Sequence, residues 1–164
     1  MISYRNLSPD SKVWIYQSSR AFTDKETGEL CIILEKFADD WVAHGKNLSA
    51  YATVQYKRFI VLMVDESAAG ASGCSIDSSV HFMQEVEKQY GIELFNRLNL
   101  AYLTGQGDEV ALVHKSKISE LIDNQSISEH TTVFNNLIKT KYDFEHSWKI
   151  PLKDSWAGLS SSSK

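Results

Sequence analysis

The chain reads as α+β: one domain in which a mixed β-sheet packs with helices in the order β-α-β-α-β-β-α-α. Three observations predict this. Segments 13–22 and 50–66 are dense in aromatic and β-branched residues, the composition of strands. Segments 24–43 and 78–90 place apolar residues three and four apart, the period of a helix with one buried stripe. Segment 98–115 returns to strand composition and carries Gly105 and Gly107 at its middle, where a hairpin can turn. At 164 residues the chain supports one full core. Residues 1–157 are therefore assigned to a single domain and 158–164, "GLSSSSK", to a disordered tail.

In the first strand, "VWIYQSSRAF", alternation puts Trp14, Tyr16, Ser18 and Arg20 on one face. Thr23 and Glu26 then stand at capping-box spacing. The helix that follows buries Leu30, Ile33, Leu34, Phe37 and Trp41, is weakened in its first turn by Gly28, and stops at Gly45 after His44. Segment 50–66 holds no Gly, Pro or Asn to turn a hairpin. The expectation is one long strand, bent near Lys57–Arg58. Its second part, "FIVLMV", is apolar at every position, as a strand covered on both faces should be. The next helix is expected from Ser78 to Tyr90, burying Phe82, Met83, Val86 and Tyr90, with Gly91 as its stop. After the 98–115 hairpin, Ser116 caps a short helix carrying Ile118, Leu121 and Ile122. Val133, Phe134, Leu137 and Ile138 suggest another helix. Segment 144–156 has no period, and Trp148, Ile150 and Trp156 should pack it onto the body. In this reading strands 13–22 and 50–66 run parallel, joined by a right-handed crossover.

Composition narrows the function classes. Seventeen basic against 21 acidic residues leave a net charge of −4, with no dense basic run, so neither a nucleic-acid footprint nor an anionic membrane surface suits the chain. No apolar stretch approaches the roughly 20 residues of a membrane-spanning helix. The N-terminus lacks the basic start and apolar core of a secretory signal. Two cysteines, Cys31 and Cys74, suggest neither a disulfide framework nor a metal pair. A cytoplasmic protein with reduced thiols is expected.

One stretch invites a chemical reading: "DESAAGASGCSIDSS", residues 65–79. Parallel strands would bring Arg20, Asp65, Glu66 and this small-residue loop to one sheet edge, where open sheets with crossovers bind ligands. The favoured function is non-catalytic binding of a small ligand or a protein partner there, through Arg20, Gly73, Cys74, Ser75 and Ser78. The alternative is an enzyme. Cys74 near a helix N-terminus could act as a thiolate, with His81 as base and Asp77 orienting it. Alternatively Asp65, Glu66 and Asp77 could hold Mg²⁺ beside a phosphate. Each residue also has a structural account. Asp77, His81, Glu85 and Lys88 form a solvated helix stripe; Asp77 is a good N-cap; Cys74 can simply pack; Gly70 and Gly73 can turn a corner; Arg20 can pair with Asp65. His44 caps a helix end. No resident cofactor is expected beyond that one Mg²⁺ option.

"VWIYQSSRAFT", "FADDWVAHGKNLSA", "RFIVLMVDE", "SGCSIDSSVHFMQEVE" and "VFNNLIKTK" resemble an uncharacterised bacterial family, common in the Bacteroidota, whose members often carry the label "ABC transporter ATPase". The resemblance covers about residues 10–156, with "SGCSIDSSV" its most specific part. It implies a bacterial origin and supplies no site residues. The label itself requires a G-x-x-x-x-G-K-[ST] loop after a strand. "GASGCSID" has neither that spacing nor the lysine, so no ATPase activity is expected.

Overall fold

The computed structural model describes residues 1–161. Its class is α+β, and the named strands all pair antiparallel. One sheet contains β1 (Lys12–Gln17), β4 (Ser49–Gln55) and β5 (Phe59–Asp65) in the order β1-β5-β4. A second contains β6 (Asn99–Leu103), β7 (Val110–His114), β8 (Thr132–Phe134) and β9 (Lys149–Pro151), in the order β7-β6-β8-β9. A two-stranded ribbon pairs β2 (Val42–Ala43) with β3 (Lys46–Asn47). The helices are α1 (Asp24–Asp40), α2 (Gly73–Tyr90), α3 (Ile118–Asp123), α4 (Lys141–His146) and α5 (Trp156–Ser161).

These elements stack in four layers around three clusters of buried side chains. Leu30, Leu34 and Ala38 of α1, with Met83 and Val86 of α2, cover one face of the first sheet. The other face of that sheet packs on the second sheet. Beyond it, Ile118, Ile127, Leu152 and Ala157 cover the outer face of the second sheet. Strand β5 lies at the centre and explains its own composition. Ile60, Leu62 and Val64 turn to the helices, and Phe59, Val61 and Met63 to the second sheet. All six are buried, each contributing roughly 1.5–3 kcal/mol over an exposed position.

The mixed sheet with a parallel strand pair is corrected. β1 and β5 are neighbours but antiparallel, with Lys12 opposite Val64 and Gln17 opposite Phe59. The cause lies in segment 50–66, which is a hairpin and not one bent strand. The Arg58 N–H donates to Gln55 O at 3.0 Å across the turn, and Tyr56 and Lys57 both have left-handed φ, 52° and 49°. Side chains there cost about 1–2 kcal/mol per residue. Packing offsets the cost. The Tyr56 ring lies 5.0 Å from Phe134, 5.8 Å from Trp148 and 6.4 Å from Phe59, and its hydroxyl accepts from Lys149 Nζ at 3.1 Å. Lys57 O accepts the Phe22 N–H at 2.6 Å.

Other boundaries move for local reasons. α2 begins at Gly73 and not near Ser78, because Ser72 and Ser75 cap each other's backbone N–H reciprocally. α1 ends at Asp40; His44 and Gly45, with φ of 50° and 75°, turn the small β2–β3 ribbon instead of capping a helix. The apolar pattern 133–138 is β8 plus a loop; Phe134 of the strand and Ile138 of the loop enter the inter-sheet core, a spacing that imitates a helix. The capping box at Thr23, the left-handed stop at Gly91 and the hairpin around Gly105–Gly107 stand as the residues predict. Of the expected tail, 158–161 lies in α5, where a Cβ on Gly158 would collide with Leu152 O and Lys153. Residues 162–164 lie outside the described residues.

Candidate functional site

The 65–78 corner is built inward. Asp65 ends β5, and its carboxylate accepts the N–H of Ser67 at 2.9 Å and of Ser8 at 3.2 Å, bonds that hold its pKa below the usual carboxylate value. Glu66 accepts the Ala71 N–H at 2.8 Å through one oxygen and pairs with Lys12 Nζ at 2.9 Å through the other. Ser75 is buried; its carbonyl accepts from Trp41 Nε1 and from Ser78 Oγ, both at 2.8 Å. The expected ligand hydroxyls therefore close on the helix backbone, and both corner carboxylates hold the loop's own groups.

Arg20 is elsewhere. Its guanidinium forms a bidentate pair with Glu26 at 2.8 Å on each arm, and donates to Tyr90 O at 2.8 Å. This clamp, with the Thr23 N–H, pulls the Glu26 pKa down to about 2. Tyr90 ends α2, whereas Gly73, Cys74, Ser75 and Ser78 begin it. The sixteen-residue separation of Cys74 from Tyr90 corresponds to roughly 24 Å of helix. The rim that was to gather Arg20 with the small-residue loop does not form, because antiparallel β1 finishes where β5 starts. Nor does Arg20 pair with Asp65.

The proposed thiolate constellation does not assemble either. Cys74 and His81 lie two turns apart on α2, a rise of roughly 10 Å, too far for a thiol–imidazole hydrogen bond. Asp77 and His81 are exposed with Glu85 and Lys88, and the latter two pair at 2.9 Å: a solvated stripe. Both thiols, Cys31 and Cys74, are free and exposed. Among the described residues no three His, Cys, Asp or Glu side chains converge as metal ligands, so Asp65, Glu66 and Asp77 are not gathered into one three-carboxylate set.

A groove of about 340 Å³ opens instead on the second sheet, between the β6–β7 turn and the loop leading into β8. Five of its eight lining residues carry hydroxyls, Tyr102, Thr104, Ser126, Thr131 and Thr132, beside the apolar Leu103, and none is formally charged. Gly105 and Gly107 bring bare backbone to the rim, at φ of 86° and 61°. Two of the hydroxyls shape the loops. Thr104 Oγ1 donates to Glu109 at 2.9 Å, and Thr131 Oγ1 accepts the Ser128 N–H at 2.8 Å. Those of Ser126 and Thr132 make no hydrogen bond among the described residues. Gln125, immediately before Ser126, holds a left-handed φ of 63°. The groove joins residues about 25 positions apart, so no local motif announced it. Its only traces in the sequence are the glycine pair and the hydroxyl-rich "SISEHTT", 126–132.

No protein-family model, no curated protein and no solved structure matches the chain. Among the described residues no helix is long and apolar enough to cross a membrane.

Proposed function

We propose that the protein is a non-catalytic, cytoplasmic binding module that takes a small, uncharged, hydroxyl-bearing ligand in the groove on the second sheet. The uncharged, hydroxyl-rich wall supports this reading. Hydroxyls donate and accept, Tyr102 offers an amphipathic ring, and nothing there pairs a phosphate or carboxylate. The volume is at the small end of ligand pockets. The ATPase label of the family that the chain resembles forms no part of the proposal, since the phosphate-cradling loop is missing.

The test is an amide-resonance titration with glucose, maltose and adenosine as uncharged probes and ATP as the charged control. At least one uncharged probe should shift Gly105, Gly107, Ser126 and Thr132 selectively. Ser126→Ala with Thr132→Val should weaken that probe about tenfold through two lost hydrogen bonds. If ATP perturbs these positions and the uncharged probes do not, the proposal fails. Alkylation by iodoacetamide separates the enzyme reading. Cys74 and Cys31 should react at similar rates, and a strongly selective Cys74 would return cysteine chemistry to consideration.

A further inference from the structure

The four outer strands of the two sheets are treated unequally. On β4, Ala50 O accepts the Ile2 N–H at 3.0 Å. On β1, the Val13 N–H donates to Lys139 O at 2.9 Å and Lys12 bridges Thr140. β9 is three residues long and ends in Pro151, a short edge poorly suited to pairing. β7 has none of these protections.

Its outward groups follow from the ladder. Glu109 O accepts from Thr104, and the Lys115 N–H donates to Leu98 O, so odd-numbered positions bond to β6. The N–H and C=O groups of Val110, Leu112 and His114 therefore point away from the sheet. Among the described residues no other strand meets them; the His114 C=O also caps the single helical turn Lys115–Lys117 that follows β7. The strand carries no Pro, Gly or charge between Val110 and Val113. Such an edge is a template for another strand.

We infer that β7 docks antiparallel against β7 of a second copy of this chain, across a two-fold axis at Leu112. The order of charges selects this occupant. With Leu112 opposite Leu112, Val110 falls opposite His114, and Glu109, just before β7, falls beside Lys115, just after β7, of the second copy. Both ends thus carry an opposite-charge cross-strand pair. Glu109 is exposed; one carboxylate oxygen accepts from the Thr104 hydroxyl, and the other is open to the partner. The product is one continuous sheet through both subunits, closed by symmetry so that no further copy can add. This surface touches the groove at Glu109, which accepts from the groove's Thr104 hydroxyl.

Sedimentation equilibrium on the full chain tests it. The mass should rise with concentration from 18.6 kDa toward twice that value. Glu109→Lys and Lys115→Glu should each weaken the dimer about tenfold, and the double exchange should restore it. Leu112→Pro removes the central outward N–H while sparing the bonds to β6, and should weaken it further. Far-UV circular dichroism confirms that each variant is folded. Amide exchange at Leu112 on the unaltered chain, which needs no substitution, should slow as concentration rises. A monomer up to millimolar chain overturns the inference and leaves the edge to an extended segment of a different protein. A dimer indifferent to both charge reversals overturns it too, by placing the interface elsewhere.

Discussion

Two hairpins in this protein reach left-handed backbone at their turns by opposite routes. The β6–β7 turn carries glycine wherever φ is positive, at Gly105 and Gly107, so its conformation is allowed by local chemistry alone. The β4–β5 turn carries tyrosine and lysine at its two left-handed positions. It is held from outside, by the aromatic cluster of Phe59, Phe134 and Trp148 around Tyr56 and by the Phe22 N–H on Lys57 O. Turn residues announce a turn only when the turn must stand on its own. Where the core can grip a side chain at the apex, the local signal is dispensable.

Removing the grip should have the largest effect. Phe59 touches Tyr56, Phe134 and Trp148 and is buried. Phe59→Ala should lower the unfolding free energy by about 3–5 kcal/mol in urea denaturation, because the cavity opens beneath the strained turn. A loss under about 1 kcal/mol would show that the turn does not depend on the cluster. Exchanging the turn chemistries sharpens the contrast. Gly107→Ala should cost about 1–2 kcal/mol at its left-handed φ. Lys57→Gly should stabilise by up to about 1 kcal/mol, since strain is relieved while the cluster persists. Equal signs for the two substitutions would end the comparison.

The smallest effect is electrostatic. The Arg20–Glu26 clamp orders the segment from which Phe22 reaches the β4–β5 turn. Glu26 has a folded pKa of about 2 against an ordinary 4.5, so its contribution is present above pH 4.5 and is lost as pH falls toward 2. Glu26→Gln should flatten that part of the stability–pH profile. Arg20 is exposed and Glu26 only half-buried, so solvent screening keeps the effect small. An unchanged profile would mean that the clamp contributes nothing.

The features that the residues made legible were the locally encoded ones. Thr23 with Glu26 marked the start of α1, Gly91 the end of α2, and Gly105 with Gly107 the second hairpin. The α+β class followed from them. Strand direction did not, since the hairpin that sets it has no local signature, and every placement at the supposed rim inherited that error. Arg20 and Cys74 belong to opposite ends of one helix. The small-residue loop read as a binding site because closed corners and ligand sites use the same residues; what separates them is whether the donors point out or in. The groove on the second sheet was invisible because its hydroxyls come from two distant segments, and serines and threonines in loops carry little information singly.

Strand β5 has one more implication. An ordinary sheet strand is aligned with its neighbours by the alternation of oily and watery residues, because sliding by one position would turn its greasy side to solvent. β5 has no watery side, so sliding would exchange one interior for another at little hydrophobic penalty. Its alignment must come from its ends: the tyrosine-anchored apex before Phe59, and Asp65 with Glu66, moored to Ser8, Ser67, Ala71 and Lys12 after Val64. The acidic corner that looks like a place for chemistry acts as a stop against slippage in the middle of the molecule.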